Sequence, residues 1–166
     1  MDAITAIKTR RSTREFANKP IPKQILEDLV DAGRLAPTAR NVQPWEFIVV
    51  TQPETLKKIG QIAETGRFIS DAGACIAVFC SETKYYLEDG CAATENMLIA
   101  AAAHAIASCW VAGDKKPYCS KINELLGAPS SLKLISLIAL GYPASKEGAA
   151  NLGKRSLKEL IHWDKF

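Results

Sequence analysis

The stretch Cys75-Ile76-Ala77-Val78-Phe79-Cys80 and the run at residues 88–106 that follows it decide the fold class of this chain. The first stretch is short, apolar and partly β-branched, so it predicts a buried strand. The second contains no proline and is rich in alanine, so it predicts a long helix with a smooth surface that another helix can approach closely. Together they predict a sheet covered by helices.

Further elements are predicted on both sides of this pair. Helices are expected at residues 3–8, from Pro22 to about residue 36, at 53–64 and at 120–126, and strands at 47–50, 108–112 and 134–140. Helices and strands interleave without a regular βαβ rhythm, which favours a single α+β domain over residues 1–166 with a small mixed sheet. The tail at residues 157–166 is expected to be buried, because Leu160, Ile161, Trp163 and Phe166 are apolar.

Composition excludes several classes of protein. The net charge of +3 is too small for a nucleic-acid binder without a recognisable module. Five cysteines without a Cys-x-x-Cys pair, and only two histidines, give no zinc pattern. They are expected to be free thiols in a reducing cytoplasm. The N-terminus has no signal-peptide pattern, and the apolar run at residues 97–106 is too short to span a membrane.

Two groups of cations stand far apart in the sequence. Arg10-Arg11-Ser12-Thr13-Arg14 combines guanidinium forks with hydroxyls, and Lys154-Arg155 lies near the other end. Arginine forks match phosphate oxygens bidentately, so the two groups predict one phosphate held between the termini. The alternative is a solvated charged surface. Glycine-rich nucleotide motifs are missing from the sequence, so the arginines rather than a loop would hold a phosphate.

A second polar constellation lies between a predicted helix and a predicted strand. In Pro37-Thr38-Ala39-Arg40-Asn41-Val42-Gln43-Pro44-Trp45 the prolines stiffen both ends. Asn41 and Gln43 offer donors and acceptors that could recognise the edge of a flat heterocycle. The alternative is a loop whose amides satisfy its own backbone.

These features, in this order, resemble the nitroreductase family of FMN-dependent flavoenzymes, which reduce nitro groups, quinones and flavins with NAD(P)H. The resemblance rests on residues 10–14, on residues 36–45, on Ser108-Cys109-Trp110-Val111-Ala112-Gly113, and on Gly141-Tyr142-Pro143 followed by Lys154-Arg155. It covers nearly the whole chain. It implies a mostly antiparallel sheet flanked by helices and a homodimer with FMN at the subunit interface.

The resemblance also implies roles for individual residues. Arg10, Ser12, Lys154 and Arg155 would hold the FMN phosphate, with Arg11 beside them. Arg14 would approach the ribityl chain or the N1–C2 edge of the flavin. The partner subunit would supply Pro37, Thr38, Ala39 and Asn41 on the dimethylbenzene side. The backbone of Val111, Ala112 and Gly113 would face the flavin ring, with an N–H near Ala112 directed at N5.

The sequence departs from the family pattern at three places. Ala112 stands where some relatives carry glutamate, which leaves only a backbone role there. His104 interrupts an apolar helix and is expected to be a hydrogen-bonded structural residue, or else to serve the pocket or the interface. Residues 81–88 replace a helical insertion of larger relatives, so a more open pocket is expected.

No catalytic side chain is predicted, because the flavin itself performs hydride chemistry and no triad or carboxylate pair is present in the sequence. NADH or NADPH would reduce FMN in a ping-pong cycle, and a small-molecule acceptor would follow. A charge at Arg14 would stabilise reduced flavin, which tends to ionise at N1. Two alternatives remain: a specialised activity of the same fold, such as reductive dehalogenation, and a flavin-binding or flavin-sensing module without turnover.

Overall fold

The computed structural model describes residues 1–145 and 153–166, and every helix and strand predicted above has a counterpart within about one helical turn. The helices are α1 Ala3–Thr9, α2 Lys23–Arg34, α3 Pro53–Ile62, α4 Tyr86–Ala103 and α5 Cys119–Leu126. The strands are β1 Phe16–Ala17, β2 Trp45–Val50, β3 Ala74–Ser81, β4 Ala107–Ala112 and β5 Leu132–Pro143. Sequence patterns missed the short strand β1 and three 3-10 segments, at Ala39–Asn41, Glu64–Asp71 and Leu157–Glu159.

Local chemistry explains several element boundaries. Asp2 caps α1 by accepting a hydrogen bond from the Thr5 N–H. Pro53 occupies the first turn of α3, where its missing N–H costs nothing. α5 ends at Gly127, whose φ of 66° lies in the left-handed region that glycine adopts without strain. α4 ends earlier than predicted, because Ala105 takes a φ of 57° that no helix continues through.

The sheet is antiparallel, and its last strand in sequence occupies its middle. β5 pairs with β3 along one edge and with β4 along the other, and its end also pairs with β1. β3 in turn pairs with β2. This confirms the α+β class and the mostly antiparallel sheet.

Alternating side chains of β3 contribute to two separate cores. Ile76 and Val78 point into a core with α2 and α4, whereas Cys75, Ala77 and Phe79 point into one with α3, the 3-10 segment and α5. The pairing of β3 with β5 shifts register between Val78 and Phe79. Both faces of the sheet are therefore covered, as the unbroken apolar run of β3 predicts.

The alanine-rich surface of α4 is used within the chain. Ala93 and Ala101 are fully buried in the core shared with α2. The side chain of Met97 lies so close to Gly33 of α2 that a Cβ there would sit 3.0 Å from it. Close helix packing was predicted, and α2 is the partner.

The tail differs from expectation. Within the single chain its apolar residues are exposed, with Trp163 at 83% and Phe166 at 105% of their maximal accessibility. The prediction of burial is therefore wrong for an isolated chain. Among the described residues, no helix has the length and hydropathy needed to cross a membrane.

Candidate functional site

Residues 10–14 leave α1 and run along the outer edge of β4. Ser12 forms a parallel bridge with Ser108, and the Thr13 N–H donates to the Ser108 carbonyl at 2.9 Å. Thr13 is buried, whereas Ser12 and Arg14 are exposed. The segment is thus fixed by backbone bonds, and its predicted ligands remain on the surface.

Three of the predicted ligands, Arg10, Ser12 and Arg14, lie close enough to β4 to act on the buried thiol of Cys109. Burial raises the pKa of this thiol, while the charge of Arg14, a hydrogen bond with Ser12 and the charge of Arg10 lower it. Arg10 is half-buried, and its Nε lies 3.9 Å from a carboxylate oxygen of Glu95. Two cations and a hydroxyl therefore lie along this part of β4, and groups of this kind suit a phosphate monoester.

The neighbouring cations have other environments. Arg11 donates from Nη1 to the carbonyls of Lys8 and Arg10, each at 2.8 Å, so it turns back toward the end of α1. The guanidinium of Arg14 lies 5.7 Å from the ring centroid of Phe68, in cation–π range. Arg14 is therefore oriented by an aromatic side chain that sequence reasoning did not single out.

The end of β4 offers one outward-facing N–H. Gly113 donates its N–H to the Ile135 carbonyl of β5 at 2.9 Å, and Val111 is buried in the core. The N–H groups of successive residues in an antiparallel strand point to opposite edges, so the N–H of Ala112 points away from β5. The Ser108 carbonyl, which accepts the Thr13 N–H, points to the same outer edge. Of the three residues predicted to face the flavin, Ala112 alone is exposed.

The loop after α2 is anchored by a buried carboxylate. Asp89, only 5% exposed, accepts hydrogen bonds from the Thr38 hydroxyl at 2.8 Å and from the Ala39 N–H at 3.2 Å. The Thr38 oxygen also accepts the Gln43 N–H at 3.2 Å. These contacts occupy the donors of Thr38 and Ala39, while Pro37 and Asn41 remain exposed.

Backbone strain concentrates in the same loop. Arg40, Asn41 and Gln43 have φ values of 55°, 56° and 51°, in the left-handed region that non-glycine residues rarely adopt. Strain of this kind persists where surrounding contacts impose it, and it clusters at functional sites. The contacts of this loop include those of Asp89 with Thr38 and Ala39 and that of the Gln43 N–H with the Thr38 oxygen.

Lys154 and Arg155 are exposed and interact differently from the N-terminal group. Arg155 donates to the Glu159 carbonyl at 3.1 Å, and Ser156 forms a capping box with Glu159. The hydrogen bonds of residues 153–166 join described residues of the tail to one another. Within the described chain, no hydrogen bond or ion pair joins the two predicted halves of the phosphate site.

His104 lies at the end of α4, and its Nε2 is 3.4 Å from a carboxylate oxygen of Asp28 on α2. This contact fits the structural role predicted for it.

Sequence reasoning missed Asp89 as a site residue. The available signal was periodicity, since Asp89 precedes the buried Ala93, Met97 and Ala101 at successive four-residue steps along one helix face. A carboxylate on such a face needs hydrogen-bond donors from another element.

The described residues fit FMN. Cations and a hydroxyl suited to its phosphate lie beside β4, and an outward N–H suited to a flavin acceptor atom lies on the same strand. The strained, exposed loop adds an amide side chain at Asn41.

Comparison with known proteins agrees with this geometry. Residues 7–78 and 81–142 match the pattern of the Nitroreductase family. The chain is 34% identical to a protein of Archaeoglobus fulgidus with the provisional name NADH dehydrogenase/NAD(P)H nitroreductase, over 99% of both chains. A solved FMN-dependent nitroreductase from Clostridium difficile superimposes with a TM-score of 0.89 at 27% identity, covering 98% of this chain and 99% of that one.

A more distant relative is an iodotyrosine deiodinase from Nematostella vectensis, 22% identical over 94% of this chain and 72% of that protein. The match of the family pattern over most of the sequence and the full-length similarity to the archaeal relative lead to one conclusion. This chain belongs to the nitroreductase family.

Proposed function

We propose that this chain is an FMN-dependent oxidoreductase that uses NADH or NADPH to reduce nitroaromatics, quinones or similar small acceptors. The observation that carries the proposal is the position of Arg10, Ser12 and Arg14 along β4, where Ser12 pairs with Ser108 and Thr13 bonds to it, on the strand whose Ala112 directs its N–H outward. The names of the archaeal and clostridial relatives support the cofactor and the electron donor.

The residues divide into groups with different tasks. Arg10 and Ser12 hold the phosphate, together with Lys154 and Arg155, and Arg11 adds positive charge nearby. Arg14, oriented over Phe68, would lie at the N1–C2 edge and would favour the reduced form by its charge. The Ala112 N–H would donate to N5.

Bound FMN supplies two-electron hydride chemistry, first with NAD(P)H and then with the acceptor, in a ping-pong cycle. The protein positions the cofactor and sets its potential, and no side chain of the site is assigned as an acid or base. Solvent supplies the protons. Cys75 and Cys80 are buried, and burial raises the pKa of each to about 12, so these two thiols stay protonated at neutral pH.

A homodimer completes the site. Ile4 and Ile7 on α1 and the tail residues Leu157, Trp163 and Phe166 expose apolar side chains that one chain does not cover. A second copy would cover such a surface and bring its loop at residues 37–41 to the flavin. In this arrangement Pro37, Thr38, Ala39 and Asn41 act on the cofactor of the partner subunit. The five cysteines are free thiols, which is in keeping with a cytoplasmic location.

Reductive dehalogenation is a second candidate, favoured by the likeness to a deiodinase. The short connection between β3 and α4, residues 82–85, leaves little chain to enclose a specific substrate.

The test is spectroscopic. The purified protein should be yellow, should release FMN and not FAD on denaturation, and should lose flavin absorbance when NADH or NADPH is added anaerobically. Release of FAD, or no bound flavin after reconstitution with FMN, would contradict the proposal. Bound FMN that neither nucleotide reduces would instead identify a flavin-binding module. Comparing the turnover rate with a nitroaromatic to that with an iodinated phenol then distinguishes the nitroreductase activity from the dehalogenase activity.

A further inference from the structure

The turn between β4 and α5 covers two successive carbonyls at the end of β4. Tyr118, only 6% exposed, donates its hydroxyl to the Ala112 carbonyl. The thiol of Cys119 and the N–H of Lys116 both donate to the Gly113 carbonyl, the latter at 3.0 Å. The carbonyl groups next to the proposed N5 contact are therefore satisfied from within the chain.

The peptide between Ala112 and Gly113 is fixed at both ends. Its carbonyl accepts the Tyr118 hydroxyl, and its N–H donates to Ile135. A Cβ on Gly113 would lie 2.7 Å from the Leu134 carbonyl oxygen, so the backbone is too close to β5 to leave space for a side chain. This peptide cannot rotate without breaking two hydrogen bonds.

The hydroxyl of Tyr118 is held as a donor. Burial raises the pKa of Tyr118, and a hydrogen bond from Thr65 partly opposes that rise. The phenol therefore stays protonated at neutral pH. Thr65 is the second residue of the 3-10 segment, which also packs Gly66 against Val111 of β4.

The hydrogen bond from Tyr118 matters for the flavin because of the direction in which the Ala112 carbonyl points. In an antiparallel strand the N–H and C=O of one residue point the same way, so Ala112 presents both groups on the outer edge of β4. Oxidised flavin accepts a hydrogen bond at N5, whereas reduced flavin carries a proton there and donates one. A bare carbonyl beside the N–H would attract the reduced form.

We propose that Tyr118 is a positioning residue that caps the Ala112 carbonyl, so that β4 presents a donor alone to N5 and the reduction potential of the flavin stays low. The inference rests on the proposed function, because it requires FMN at β4. In this view Tyr118 lowers the reduction potential of the flavin, whereas the charge of Arg14 raises it.

The test compares Tyr118→Phe with Tyr86→Phe, a matched loss of a phenol hydroxyl that bonds Asp114 and not β4. Each protein is reconstituted with FMN, its affinity for oxidised FMN is measured by fluorescence titration, and its midpoint potential by dye equilibration. We expect Tyr118→Phe to favour reduced over oxidised FMN about tenfold more than the parent does, which raises the potential by about 30 mV. Tyr86→Phe should keep the parent potential.

A second variant, Thr65→Val, removes the hydrogen bond to Tyr118 and should shift the potential in the same direction by less. An unchanged or lowered potential in Tyr118→Phe, even with reduced thermal stability, would show that the hydroxyl is structural only and overturn the inference. Should Tyr118→Phe not fold, an unchanged potential in Thr65→Val would overturn it. A parent protein that binds no FMN would overturn the proposed function, and this inference with it.

Discussion

Residues 10–14 and residues 153–166 carry the two groups of cations predicted for one phosphate, yet their surroundings differ. The first segment is bonded to β4 through Ser12 and Thr13, and Arg10 is half-buried beside Glu95. The second is exposed throughout and bonded only to itself among the described residues. Of the proposed phosphate ligands, those of the first segment are therefore held against β4, whereas Lys154 and Arg155 have no bond to the rest of the described chain.

The largest expected effect comes from the tail. Deleting Trp163 to Phe166 should weaken the dimer and lower flavin occupancy together, because these residues expose apolar surface that a second subunit would cover. Sedimentation velocity and the ratio of flavin to protein absorbance measure the two effects. Tyr85→Ala, which removes an exposed aromatic residue elsewhere, serves as the control. A flavin-loaded, active monomer would contradict this view of the tail.

A substitution at Arg10 tests the proposed phosphate contact of residues 10–14. Arg10→Ala should weaken FMN binding about tenfold to a hundredfold, because a charge-assisted contact contributes roughly 1.5–3 kcal/mol. Lys8→Ala removes a cation from the last turn of the same helix and should change the affinity little. Fluorescence titration with FMN gives both dissociation constants. Equal values for the two variants would speak against a phosphate contact at Arg10.

Asp89 tests whether the loop after α2 is also ordered by its own chain. Asp89→Asn removes the charge that accepts two hydrogen bonds in a buried position, so the free energy of unfolding should fall by about 1–3 kcal/mol. Urea denaturation measures the change. Glu88→Gln, on the neighbouring exposed carboxylate, should be nearly neutral. Equal stabilities of the two variants would mean that the loop holds its strained conformation without Asp89.

The smallest expected effect separates Arg14 from the phosphate ligands. Arg14→Met keeps much of the side-chain volume and removes the charge, so FMN should stay bound while its potential falls. A loss of ~1–2 kcal/mol is measurable by dye-linked titration, since a two-electron couple shifts by about 30 mV for each ~1.4 kcal/mol. If the variant lost FMN while its remaining flavin kept the parent potential, Arg14 would belong with the phosphate ligands.

The sequence predicted what depends on local pattern. Apolar periodicity located β3 and α4, and the ordered motifs indicated the family before any contact was known. Arg10, Ser12 and Arg14 could be named because their side chains carry the chemistry themselves.

Other features could not be predicted because they depend on contacts between distant residues. Asp89 looks like an ordinary acidic residue in the first turn of a helix until the loop 50 residues earlier is seen to bond to it. Arg40 and Gln43 take left-handed conformations in that loop, although neither residue type favours them. Burial of Trp163 was expected from hydropathy, but a single chain provides no surface to cover it.

The position of β5 in the sheet has a consequence for how the chain is made. β5 lies between β3 and β4, yet it is the last of the strands to be synthesised. Until residues 132–143 are available, β3 is an apolar strand with an unpaired edge, which can template pairing with other chains. Folding of the sheet must therefore follow synthesis of β5, and refolding yield should fall as protein concentration rises.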